Sequence, residues 1–376
     1  MKNITLIGSM PPKNEKIITG PSTVLRLIFQ HLKKTNPNTV LINLFQAGDN
    51  DYRSIGNFSF KRSLFIFYKG IEFLRIPLTR NSLVYIFVSP SNVGLIRDFM
   101  FILFASIRGN RIILHQLGNY MNFFESKSLL TRYLIKTFSK KVNKIIVEGK
   151  LVENFFIDKG FSNNFIVIPN CAPSNKKVIL EKNKSSKFFR ILYLSNLIPS
   201  KGYFSLLKSL LYIDKNIRSK IVFTFVGKFM DVKAEKVDGR VEKDIFFDFI
   251  KKNNLSKNIQ YIESAWGKEK YDLYKNSDIF VLPTDYIYEM QPISIIEAMS
   301  CGLPIISSKK GLIPYMVEDM VNGLILEKIN PKSIALKILM LIKNPELFLK
   351  MQKNNLEKYT KNYSEKAFLK NIDKLI

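Results

Sequence analysis

Cysteine, histidine and tryptophan are scarce in this 376-residue chain, with two, two and one copies. Cys171 and Cys301 cannot build a disulfide framework, and neither has the Cys or His neighbours of a metal site. Free thiols in a reducing compartment are the simpler reading. Long apolar runs are missing too. The N-terminal Met-Lys-Asn-Ile-Thr-Leu-Ile-Gly holds too short an apolar run for a signal peptide. No stretch reaches the ~18 uncharged apolar residues of a membrane span. The nearest, FMFILFASI over 99–107, is short and flanked by Arg97, Asp98 and Arg108. The chain is expected in the cytoplasm, with peripheral contact on the inner face of the cytoplasmic membrane left open. No low-complexity segment occurs.

Acidic residues are also in short supply: 31 Asp and Glu against 58 Lys and Arg, a net charge of +27. Residues 1–188 carry 28 basic and 10 acidic residues, the remainder 30 and 21, so the excess is concentrated in the first half. A genome that favours Lys, Asn and Ile would produce such a bias without any function. The functional readings are an anionic membrane surface, a polyphosphate ligand or a nucleic acid. Against the last, the basic residues are scattered and no nucleic-acid-binding motif is recognisable.

What is present is material for two cores. Apolar residues make up 46% and charged residues 24%, as in soluble globular proteins, and the length suits two domains. Strand-like and helix-like segments alternate. ITLIG (4–8), TVLINLF (39–45), LVYIFVS (83–89), RIILHQ (111–116), KIIVEG (144–149) and FIVIP (165–169) read as strands. PSTVLRLIFQHLKK (21–34) reads as a helix with Pro21 in its first turn. After Ile168 a polar, turn-rich stretch interrupts the pattern. Alternation restarts with FRILYLS (189–195), KIVFTFVG (220–227), IQYIES (259–264), DIFVLP (278–283), PIISS (304–308) and GLILE (323–327), and the last ~45 residues read as helix only. This predicts an α/β protein of two doubly wound parallel-sheet domains, 1–172 and 189–360, joined by a hinge at 173–188, with a C-terminal helix at 361–376 packing back on the first domain. Ligands bind beyond the carboxyl ends of strands in such sheets, so the cleft between two facing domains is the expected site.

One stretch carries chemistry: EMQPISIIEAMSCGLPII, residues 289–306. Glu289 falls in the loop after DIFVLP and Glu297 one to two turns into the helix that follows. A strand–loop–helix unit aims free helix amides at a ligand, which is an anion site. A carboxylate in the loop can accept sugar hydroxyls, and one on the adjoining turn can accept two neighbouring ribose hydroxyls. The plain alternative is a solvated Glu289 and an ordinary first-turn Glu297, since Glu-x7-Glu alone is weakly specific.

The surrounding residues are more specific. Glu289, Glu297, Ala298, Met299, Gly302 and Pro304 match the Glu-x7-Glu, Ala-Met-x-x-Gly-x-Pro wording of retaining glycosyltransferases of family 4. Residues 277–326 resemble that family's signature block throughout. LSNLIPSKGYFSLLKSL (194–210) is similar to the opening of its second domain, VIPNCAP (167–173) to its hinge, and IILHQLGNY (112–120) to its first-domain His-x-x-Gly turn. The resemblance covers nearly the whole chain and implies the GT-B fold, two Rossmann-like domains facing a central cleft. It implies that Glu289 contacts the transferred sugar and that Glu297 holds the ribose. The amides at Met290, Gln291, Ile293 and Ser294 would contact sugar and diphosphate, and Lys201 would neutralise the leaving diphosphate. Gly20 would let the first-domain loop approach the phosphates, and His115 would donate a hydrogen bond near the reacting sugar or acceptor. Each has a plain alternative: Lys201 as a loop lysine, Gly20 as a turn former before Pro21, His115 as a satisfied core histidine. His31, in FQHLKK, reads as surface.

Two departures from the family's wording concern the phosphates. Ser195-Asn196-Leu197 stands where many members have Gly-Arg-Leu, so Asn196 replaces a diphosphate-binding arginine; Lys228 is a candidate substitute. Pro292 stands where a glycine is common and lacks an N–H. No Asp-x-Asp motif stands in a loop suited to hold a metal between phosphates, so transfer is expected to be metal-independent, with no cofactor beyond a UDP- or GDP-linked sugar. YIESAW (261–266) would face the base by the same resemblance. The acceptor would be a glycan, lipid-linked by analogy, in capsule, exopolysaccharide or lipopolysaccharide synthesis. Basic-aromatic stretches at 60–75 and 131–144 suit an anionic membrane surface, though amphipathic helices packed on the sheet would read the same way. Two further readings stay open: a UDP-sugar epimerase of the same fold, and a basic nucleic-acid-binding protein without catalysis.

Overall fold

The computed structural model describes residues 3–12, 20–45, 60–162, 164–173, 188–232 and 235–376. The expected hinge therefore falls largely outside the described residues. The chain divides into two units, Met1–Asn170 with Phe368–Ile376, and Cys171–Ala367.

The first unit is built on six parallel strands: β1 (Ile4–Gly8), β2 (Thr39–Asn43), β3 (Leu83–Phe87), β4 (Arg111–His115), β5 (Lys144–Val147) and β6 (Phe165–Val167), in the order β2-β1-β3-β4-β5-β6. β1 and β3 are buried along their whole length, the condition of a parallel sheet covered on both faces and the reason their sequences read as unbroken apolar runs. Helices Phe60–Arg75, Asn92–Ile107 and Leu129–Ser139 connect successive strands. The latter two start where the side chains of Ser91 and Ser128 accept from the backbone N–H groups of Gly94 and Thr131, which satisfies a donor that a helix start leaves over.

The C-terminal segment closes this unit. Phe368 is 1% exposed, with its ring 6.4 Å from that of His115. Arg111 donates to the carbonyl of Leu375 at 2.5 Å. His31, which reads as surface in the sequence, is partly exposed and has its Nε2 2.7 Å from Asp373 Oδ1. That partner is 342 residues away and invisible to local pattern.

The second unit repeats the architecture with β7 (Phe189–Leu194), β8 (Ile221–Val226), β9 (Ile259–Ile262), β10 (Ile279–Leu282), β11 (Ile305–Ser308) and β12 (Gly323–Leu326), ordered β12-β11-β10-β7-β8-β9. Within the unit this is the Rossmann order, and it reverses between β7 and β10. In sheets of this order, ligands bind beyond the carboxyl ends of the strands at such a reversal. A buried amide pair ties helix Pro345–Lys358 to the sheet: Asn322 Nδ2 donates to Asn355 Oδ1 at 2.9 Å, and Asn355 Nδ2 donates to the Leu303 and Asn322 carbonyls.

Candidate active site

The reversal between β7 and β10 brings together two of the residues singled out at the sequence level in the second unit, Lys201 and Glu289. After β7 the chain runs through Ser195 and Asn196 into a single 3-10 turn, Pro199–Lys201, and leaves through Gly202 at φ 76°. After β10 it runs through Pro283–Pro292 into helix Ile293–Ser300. The two loops are joined by backbone: Asp285 N–H donates to the Ser200 carbonyl at 2.7 Å. A Cβ on Gly202 would stand 2.0 Å from the Pro283 carbonyl oxygen, so this approach requires glycine on steric grounds as well as for its φ.

Lys201 Nζ and Glu289 Oε2 meet at 3.0 Å, with side chains only 15% and 10% exposed. Water reaches neither group freely, so their attraction is less screened than in a surface salt bridge. Thr284, fully buried, fixes the carboxylate by donating from Oγ1 to Glu289 Oε2 at 3.3 Å. Lys201 Nζ also stands 4.9 Å from the centre of the Tyr286 ring, an added attraction for a cation. On the other side of the loop, a Cβ at Gly311 (φ 51°) would come within 2.5 Å of the Glu289 carbonyl oxygen. Thr284, Tyr286, Gly202 and Gly311 thus shape the site without standing out in the sequence; a glycine of Ser-Lys-Gly and a threonine of Pro-Thr-Asp were the available signals.

Glu297 is on the fifth residue of the helix and held on both oxygens. Lys270 donates to Oε1, and Tyr274, from its buried hydroxyl, donates to Oε2 at 2.9 Å. Burial, with Glu297 nearby, pushes the Tyr274 phenol well above its usual range, so it remains a donor. Each carboxylate oxygen keeps a lone pair for a further hydroxyl. The helix starts at Ile293 after Pro292, with no side-chain cap. Its first amides, those of Ile293 and Ser294, have no carbonyl within the helix to bond. Met290 is 2% exposed and its carbonyl is taken by Leu312 N–H at 2.8 Å. Gln291 is 7% exposed. Asn196 is half-buried, and its carbonyl accepts from Ile198 N–H at 3.1 Å and from the Tyr193 hydroxyl at 3.3 Å. Lys228 is exposed in the loop after β8.

His115 and Gly20 belong to the first unit. Gly20 is the first residue of helix Gly20–Thr35, and the loop before it lies outside the described residues. His115 ends β4 at 1% exposure. Its Nδ1 lies 2.8 Å from the Tyr85 hydroxyl, and its ring 4.8 Å from that of Phe87. Nε2 has no partner among the described residues. Burial lowers its pKa to about 3, so the imidazole is neutral at any working pH. Because the folded pKa lies below the unfolded one, the unfolded chain binds the extra proton first. Stability is therefore present above pH 6.5 and lost as the pH falls toward 3. Between those values the pH dependence of unfolding free energy for wild type minus His115→Phe should approach ~1.4 kcal/mol per unit; equal slopes would show that His115 is solvated. The one Asp-x-Asp spelling, Asp49-Asn50-Asp51, lies outside the described residues.

Residues 175–358 match the family model described as glycosyl transferases group 1. An uncharacterized glycosyltransferase of Methanocaldococcus jannaschii is 30% identical over 237 residues, 63% of this chain and 60% of that protein. The UDP-Gal:α-D-GlcNAc-diphosphoundecaprenol α-1,3-galactosyltransferase of Escherichia coli is 26% identical over 201 residues, 53% of this chain and 47% of that protein. The chain thus spans roughly half to three fifths of these relatives' lengths. Anabaena HepE, solved with UDP, superposes with a TM-score of 0.74 at 14% identity over 99% of both chains. Together with the two parallel six-stranded sheets, this makes the fold GT-B.

Proposed function

We propose that this chain is a retaining glycosyltransferase of the family 4 type. It moves a hexose or N-acetylhexosamine from a UDP- or GDP-linked donor to a lipid-linked glycan, in the synthesis of a bacterial surface polysaccharide. The observation that carries the reading is the approach of Lys201 to Glu289 at the strand-order reversal, next to an uncapped helix start.

Departure of the nucleoside diphosphate develops oxocarbenium character on the sugar and charge on the phosphate. Lys201 and the amides of Ile293 and Ser294 would stabilise that charge. Glu289 would take the sugar's hydroxyls, and Glu297, fixed by Lys270 and Tyr274, the ribose. Met290 and Gln291 would contribute main-chain contacts, with Asn196 and Gly20 beside the phosphates. The acceptor oxygen forms its bond to the anomeric carbon on the face from which the phosphate oxygen leaves, and the proton passes to the departing phosphate. His115, uncharged, is left the part of a neutral donor through Nε2–H. The undecaprenol-linked sugar in the name of the E. coli relative supports a lipid-carried acceptor, and the UDP held by HepE supports UDP as carrier. A lipid-carried acceptor would bring the chain to a membrane as a peripheral protein.

Because Lys201 and helix amides supply the positive charge in this reading, transfer is proposed to be metal-independent. A panel of UDP and GDP sugars, scored for diphosphate release with and without a lipid-linked acceptor, tests both points. One donor should give release that depends on acceptor and stays within about twofold in excess chelator. Loss of activity in chelator would remove the metal-free step, and release without acceptor would favour the epimerase-like reading.

A further inference from the structure

Three neighbouring helices of the first unit turn an apolar face outward. Helix Phe60–Arg75 buries Gly70 and Phe73, while Leu64, Phe67 and Tyr68 on its opposite side are 59%, 64% and 57% exposed. Helix Asn92–Ile107 buries Leu95, Phe101, Ile102 and Ala105, yet Ile96 and Ile107 are 72% and 75% exposed. Helix Leu129–Ser139 buries Ile135 and exposes Leu129, Leu130 and Tyr133 at 82%, 69% and 66%. Surface helices ordinarily place polar residues there. The three are fastened side by side: Phe73 meets Phe101 edge-on at 5.5 Å, and Phe99 stacks on Phe138 at 4.1 Å. Their outward faces therefore form one surface.

Charge identifies the occupant. Residues 60–75, 92–108 and 127–141 hold eleven Lys and Arg and two acids, Glu72 and Asp98. Both acids are already paired, with Lys69 at 2.7 Å and with Arg97 at 2.6 Å. An apolar face on segments with nine more basic than acidic residues, their two acids neutralised from within, matches the boundary between acyl chains and anionic headgroups. No described helix is long and apolar enough to cross a membrane, so the contact would be peripheral. We propose that this three-helix face docks on an anionic phospholipid bilayer, with Phe67, Ile96, Leu130 and Tyr133 entering the acyl boundary and cations of these segments meeting headgroups. The proposal extends the lipid-linked acceptor reading and rests on it for preferring a bilayer to a second copy of the chain.

Flotation of the full chain with vesicles tests it without any sugar nucleotide. Wild type should float with phosphatidylglycerol-containing vesicles at low salt, and at least tenfold less with pure phosphatidylcholine or at high salt. Leu130→Ser/Tyr133→Ser, and separately Phe67→Glu/Ile96→Glu, should lower the floated fraction at least tenfold with unchanged melting temperature and unchanged thermal stabilisation by UDP. Absence of wild-type flotation, or equal flotation of folded variants, would overturn the proposal. So would a lipid-free dimer that these variants split, since the face would then join two copies. Failure of UDP to stabilise any of these proteins, with flotation intact, would count against the transferase reading alone.

Discussion

Glu289→Ala is expected to lower the rate of sugar transfer by about 10³-fold while UDP itself binds about tenfold more tightly. The two effects come from one contact. In the free protein the Lys201 ammonium is neutralised by Glu289 at 3.0 Å, both side chains being mostly shielded from water. A diphosphate arriving at Lys201 must compete with that carboxylate. Removing the carboxylate leaves a shielded cation without its counter-ion, a costly state that a diphosphate relieves; tenfold in affinity corresponds to ~1.4 kcal/mol. The transferred sugar, by contrast, loses the group that would hold its hydroxyls as positive charge develops, and losses of 10²–10³-fold are usual when one preorganised electrostatic partner is removed. Lys201→Ala should move both measurements in the same direction, lowering transfer by about 10²–10³-fold and weakening UDP at least tenfold. Titration calorimetry with UDP and initial rates of diphosphate release separate the cases. Wild-type rates in both variants would end the assignment. Weaker UDP binding in Glu289→Ala would mean that the pair acts together on the diphosphate and does not compete with it.

Much of this arrangement is legible in the chain. All twelve strands among the described residues correspond to β-branched or apolar runs, and those buried along their whole length, such as β1, β3 and β10, need such a run. Glu289, Glu297 and Lys201 are readable because residues 194–210 and 277–326 resemble the wording of a known family; their place near strand ends alone is weakly specific. What is not legible is whatever depends on strand order. Nothing local to Leu194 or Leu282 says that β7 lies beside β10, and only that adjacency turns Lys201 and Glu289 into a pair. Likewise Glu297 depends on Lys270 and Tyr274, 27 and 23 residues earlier, and His31 on Asp373. Periodicity marked 60–75 and 131–144 as amphipathic, but whether their apolar residues faced the sheet or solvent had to come from the packed unit. For His115, one histidine at a strand end reads equally as ligand or core, and burial decides its charge.

Gly202→Ala should be strongly damaging to the site. Two costs add. A residue with a side chain at φ 76° is disfavoured by about 1–2 kcal/mol. The new Cβ would also stand 2.0 Å from the Pro283 carbonyl oxygen, and that atom is backbone, held between β10 and the Asp285–Ser200 hydrogen bond. It cannot swing away as a side-chain end could, so the β7 and β10 loops must separate. We expect destabilisation of about 3 kcal/mol or more, which for a unit of this size lowers Tm by roughly 6–12 °C. Separation also carries Lys201 away from Glu289, and a misplacement near 1 Å costs about 10²-fold in rate. Gly267→Ala is the matched control in the same unit: its φ is also positive, at 52°, but no atom lies within 4 Å of an added Cβ. It should cost only about 1 kcal/mol and leave transfer within a few-fold of wild type. If both variants melted alike and Gly202→Ala kept its activity, the close approach of the two loops would not be what holds the lysine against the acid.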